Sequence, residues 1–108
     1  MSEIDLSKLR EQSVRDAALR LQLHSAWRRV PPAPLLANVF PDHEPHQLAE
    51  ASAEAAALLQ YAYSAGDEAL TAKHSNYPEI IARLQAQHPG FTQESYLMVI
   101  SYGCYLAK

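Results

Sequence analysis

Five residues in a row, Asp42-His43-Glu44-Pro45-His46, are the densest group of potential metal ligands in the chain, and Glu50 follows one helical turn after His46. His46 and Glu50 can face one ion from a helix, and His43 can reach in from the loop before it. The spacing matches no zinc pattern. A di-iron bundle would need paired Glu-x-x-His helices. The segment therefore reads as a polar loop that leads acids to the positive end of a helix, and no metal and no cofactor are assigned to it.

Nucleophilic chemistry fares no better. Cys104 is the single cysteine and lies between Gly103 and Tyr105, close to Tyr102 and Leu106, on a segment expected to be buried. A buried thiol behaves as a small hydrophobe with little reactivity. The nine Ser residues include no nucleophile-elbow sequence,. The three Gly residues, at 66, 90 and 103, form no phosphate-cradling loop,. No catalytic residue is assigned, and the chain is expected not to be an enzyme.

Charge is more informative. The formal net charge of −3 divides into +2 for residues 1–30 and −5 for residues 31–108. Between Arg29 and Lys73 there is no Lys or Arg, while Asp42, Glu44, Glu50, Glu54, Asp67 and Glu68 give a formal charge of −6. Such a surface attracts basic partners and raises their association rate. A solvated face neutralised by the chain's own basic first helix is the plainer alternative. Lys8, Arg10, Arg15, Arg20, Arg28 and Arg29 are interleaved with Glu3, Asp5, Glu11 and Asp16. That is a mixed-charge helix, with Arg15 and Glu11 spaced to pair, and not the basic stripe of a nucleic-acid binder. Trp27, beside Arg28 and Arg29, suits an interface anchor.

The elements that must carry these residues are helical. Of the 52 apolar residues, 18 are Ala and 14 are Leu, whereas Val, Ile and Thr together number 10. Ala and Leu favour helices, and β-branched residues favour strands. Asp5 to Arg28 is expected to be one long helix, with Ser2 or Asp5 as its cap. It has two apolar faces, Leu6, Val14, Ala17 and Leu21 on one, and Leu9, Leu19, Leu23 and Trp27 on the other. Residues 29–45 hold Pro31, Pro32, Pro34, Pro41 and Pro45 and read as an extended connector lying across the helices,.

Pro45 to Ala65 is expected as a helix, with Pro45 in its first turn and Gly66 just past its end. Its apolar stripe comprises Leu48, Ala51, Ala55, Leu58, Leu59 and Ala62, small enough for close helix approach. Asp67 to Lys73 reads as a short helix capped by Asp67. Pro78 to Gln87 follows, with Ile80, Ile81 and Leu84 inward. The last helix begins after Thr92 as N-cap, with Phe91 and Tyr96 placed for a hydrophobic staple. It is apolar nearly all round, and Gly103 is expected to mark a close helix crossing.

The expected fold is thus all-α, a small irregular bundle of four to five helices with a long Pro-rich connector after helix 1, as one domain over residues 1–108,. No basic start precedes an apolar run, and no apolar stretch is long enough to span a membrane. A cytoplasmic location is expected, with no membrane and no nucleic-acid partner. The expected function is a non-enzymatic protein-binding module, most concretely a small acidic inhibitor that caps a basic protein, in the manner of an immunity protein or antitoxin. Its partner-binding residues would be Asp42, Glu44, Glu50, Glu54, Asp67, Glu68 and Trp27. The alternatives are a homo-oligomeric assembly subunit, with a homodimer as its simplest form, and a ligand- or metal-binding bundle that uses the tyrosines.

Overall fold

The computed structural model describes residues 9–27 and 35–107, and the fold is all-α, with no strand among the described residues. The helices are α1 (Val14–Trp27), the single turn α2 (Leu36–Val39), α3 (Pro45–Leu59), α4 (Ala62–Thr71), α5 (Tyr77–Gln87) and α6 (Gln93–Ala107). The chain divides into two compact units, Met1–Ala56 and Ala57–Lys108.

In the first unit, the expected helix from Asp5 to Arg28 is interrupted. Leu9 and Arg10 are helical, residues 11–13 are not, and α1 starts afresh at Val14. Asp5 and Arg28 themselves lie outside the described residues. Ser13 is the reason for the new start. Its Oγ accepts the Asp16 backbone N–H at 3.1 Å and its hydroxyl donates to the Asp16 carboxylate. That is an N-cap with an acid at the third helical position, where the helix dipole favours negative charge. Ala17 and Leu21 on one face of α1 and Leu19 and Leu23 on the other are all buried. Leu9, Ala17, Leu21, Val39, Phe40 and Leu48 form one apolar cluster, with Val14 and Leu36 packed against it.

Only part of the proline-rich connector is described. Within it, Leu36 to Val39 form a helical turn that the absence of a period did not suggest. Its burial value explains it: Val39 and Phe40 are 1% and 8% exposed, so tertiary packing folds a segment with little propensity of its own,. Helix α3 begins at Pro45 as expected. Glu44 precedes it, and the Gln47 side chain reaches back to accept the Glu44 backbone N–H at 3.1 Å. This is the returning half of a capping box, with Pro at the first helical position.

In the second unit, the expected helix Pro45 to Ala65 stops at Leu59, and α4 restarts at Ala62. Gly66 is therefore not a helix end, and Asp67 is not a cap; both lie inside α4. Gly66 instead meets Gly103 where α4 crosses α6. A Cβ on Gly66 would lie 1.9 Å from the Gly103 carbonyl carbon, and one on Gly103 would lie 1.7 Å from the Ala62 oxygen. Ala62, Ala65 and Ala69 complete the small face of α4 and are buried against this crossing, the most extensive helix contact of the unit. Helix α4 ends through Lys73 and His74, both left-handed (φ 55° and 65°), with the His74 N–H bonded to the Ala69 oxygen at 2.7 Å.

Helix α5 buries Ile80 and Leu84, while Ile81 is half-buried. Gly90 takes φ 98°, a conformation that L side chains rarely adopt, in the turn to α6,. Thr92 caps α6: its Oγ1 accepts the Ser95 backbone N–H at 3.3 Å. Phe91 and Tyr96 pack edge to face at 5.9 Å, closing the staple, and the Tyr96 hydroxyl donates to the His88 oxygen at 2.6 Å.

Candidate protein-binding surface

The loop between α2 and α3 carries Asp42 and Glu44. The His43 N–H bonds the Phe40 oxygen at 3.2 Å, which turns the chain and leaves Asp42 projecting from an exposed corner. Asp42 and Glu50 are exposed and form no side-chain hydrogen bond or ion pair among the described residues. Glu44 is also exposed. Its carboxylate lies 3.2 Å from His46 Nδ1, while its backbone starts α3. His43 turns its ring against Phe40, with centroids 5.1 Å apart, instead of toward the acids. Among the described residues, no three His, Cys, Asp or Glu side chains converge as metal ligands would. The structure thus does not bring Asp42, His43, Glu44, His46 and Glu50 onto one point.

Glu54 is committed elsewhere. Its two oxygens accept from Arg15 Nε and Nη2 at 2.6 and 2.8 Å, so Arg15 grips α3 and not the neighbouring Glu11. Gln22 adds a bond from its amide to the Ser52 oxygen at 2.9 Å. Part of the acidic stretch is therefore neutralised by the basic first helix, at the end of α3 away from Asp42. In the second unit, Glu68 is paired with Arg83, and Asp67 is exposed. Trp27 ends α1, and its side chain lies outside the described residues.

Two clefts accompany these groups. One, of about 440 Å³, is lined by Arg10, Val39, Phe40, Pro41, Asp42 and His43. Arg10 sits at its edge and donates through Nε to the Val39 oxygen at 3.1 Å and through Nη2 to the Asn38 oxygen at 3.4 Å. These are carbonyls at the end of α2, which have no partner within the helix. The other, of about 210 Å³, lies over Tyr61, Ser64, Glu68, Arg83 and Gln87. No spacing rule pointed to Arg10 or Phe40 as members of one site, because 29 residues separate Arg10 from the carbonyl it grips.

Cys104 is buried, with Sγ 3.7 Å from the Gly66 oxygen. Burial pushes the nearby Tyr77 hydroxyl above its ordinary pKa, and the neighbouring Cys104 side chain raises it further. The same hydroxyl lies 2.9 Å from His74 Nδ1. Along α6, Leu97, Tyr105 and Leu106 are exposed, and Tyr102 and Tyr105 stack with centroids 6.4 Å apart. Among the described residues, no helix is long and apolar enough to cross a membrane. No protein-family model, no curated protein and no solved structure matches the chain.

Proposed function

We propose that the chain is a non-enzymatic protein-binding module, a small acidic inhibitor that caps a basic protein. The observation that carries the reading is the exposure of three acids, Asp42 and Glu44 just before α3 and Glu50 within it. The stretch between Arg29 and Lys73 supplies no Lys or Arg of its own to them. Complementary charge on a partner is drawn to such acids and held in register by them. Glu54 and Glu68 contribute less, since Arg15 and Arg83 already hold them.

The test is co-expression with a basic protein encoded beside this one. The chain is expected to co-purify with it at low salt and to part from it as ionic strength rises, because exposed charges are screened beyond roughly 8 Å at physiological salt. The triple variant Asp42→Asn/Glu44→Gln/Glu50→Gln should bind about tenfold more weakly or worse. Undiminished binding by that variant, or no complex at any salt, overturns the reading.

A second reading is a homo-oligomeric subunit. The exposed Leu97, Tyr105 and Leu106 along α6 favour it, since such residues gain from burial against another surface,. The first helix adds nothing to it, because Ala17 and Leu21 on one face and Leu19 and Leu23 on the other are buried. Light scattering at high micromolar concentration separates the two readings: a dimer supports the second, and a monomer ends it.

A further inference from the structure

We infer that the cleft beside Asp42 is the seat for an arginine side chain of the basic partner; this rests on the reading that the partner is basic. Its floor is apolar, made of Val39, Phe40 and Pro41, and suits the methylene stem of a long cation,. The exposed His43 ring, packed edge to face on the buried Phe40 ring at 5.1 Å, offers a flat surface to a guanidinium plane,. Asp42 stands at the rim with an exposed carboxylate that no described side chain engages. The volume of about 440 Å³ falls within the ordinary range for ligand pockets,.

The chain's own Arg10 already shows what this edge accepts. Its guanidinium lies on the Asn38 and Val39 oxygens at the end of α2. Arg10 also sets the limit on the site, because its charge opposes a second cation. A partner arginine seated at Asp42 must overcome that repulsion, and removing the Arg10 charge should strengthen the seat. An anion in the same cleft would do the reverse.

The probe is N-acetyl-arginine-N-methylamide, titrated into the full chain and followed by amide nuclear magnetic resonance. Saturable shifts are expected at Phe40, Asp42 and His43. Asp42→Asn should weaken them at least about threefold, in line with a partly exposed ion pair. Arg10→Gln should keep or tighten them, with helix content checked by circular dichroism. N-acetyl-glutamate-N-methylamide should leave these signals in place. No saturable shift at these residues overturns the seat. So does a response to the acidic probe that Arg10→Gln abolishes, since that would assign the cleft to anions. A basic partner bound undiminished by Asp42→Asn also overturns the seat while leaving the protein-binding reading intact. Seating of the arginine probe without any basic protein bound does the opposite.

Discussion

Replacing Gly103 with Ala sets two effects of opposite sign against each other. Inside a helix, Ala is favoured over Gly by about 1 kcal/mol, so local propensity makes Gly103→Ala stabilising. The crossing with α4 makes it destabilising. The new Cβ would stand 1.7 Å from the Ala62 oxygen and 2.9 Å from the Gly66 nitrogen, against an ordinary contact of 3.4–4 Å. Both obstacles are backbone atoms, so no side chain can swing aside. Helix α4 would have to withdraw by roughly 1.5–2 Å, and a gap of even 0.5–1 Å forfeits about a quarter to half of each dispersion contact. The small face of α4 that would lose contact carries the buried Ala62, Ala65 and Ala69. Overpacking of this kind costs about 1–3 kcal/mol and occasionally more; with backbone on both sides, we expect about 3–4 kcal/mol gross. The net loss is then about 2–3 kcal/mol, or a fall in Tm on the order of 10–20 °C at about 4–8 °C per kcal/mol. Urea and thermal unfolding followed by circular dichroism measure it. The double variant Gly66→Ala/Gly103→Ala should cost less than the two single changes together, because one separation relieves both clashes. A Gly103→Ala protein as stable as the parent, or more so, would refute the close crossing.

Three further outcomes follow from other parts of the structure. Thr92→Ala removes the cap on α6 and should cost about 1 kcal/mol by urea unfolding, whereas Thr92→Ser should cost little. A double-mutant cycle on Arg15 and Glu54 should return no more than about 0.5–1 kcal/mol, because both side chains are 38% exposed and solvent screens the pair despite its two-pronged geometry,. Tyr77 has a folded pKa above its ordinary 10.0. Its contribution to stability is therefore present below that value and lost as pH rises through the folded pKa. Unfolding free energies measured between pH 9 and pH 11 should fall for the parent and fall less for Tyr77→Phe; equal slopes would contradict the assignment.

Much of the helical layout was legible because it is local. Thr92, Phe91 and Tyr96 carry their information within five residues, and so does Pro45 at the start of α3. The cap and staple in α6 accordingly match expectation. The break after Leu59 was not legible, and the stripe itself shows why. Leu48, Ala51, Ala55, Leu58, Ala62, Ala65 and Ala69 are all buried and follow each other at alternating spacings of three and four. The pattern runs through the interruption without a change of phase, and no Gly or Pro marks it. Gly66 then looked like a terminus because glycine is common there, whereas its use depends on a helix that lies far along the chain.

The candidate surface divides in the same way. The acidic stretch is a property of composition, so Asp42, Glu44 and Glu50 could be named from order alone, and their exposure agrees with it. Which acids are neutralised could not be named. Arg15 had Glu11 within one helical turn, yet it pairs with Glu54, 39 residues away. Ser13 starts α1 afresh just after Glu11, and packing sets Arg15 opposite α3. The residue types of this chain determined by themselves that it is helical, where several helices begin, and where its negative charge lies, because propensity, capping and charge act over a few residues. Only the tertiary structure decided which glycines are crossings, which acids are held by the chain's own arginines, and that Arg10, Phe40 and Asp42 line one cleft, because steric approach and charge pairing act across space between residues far apart in the chain.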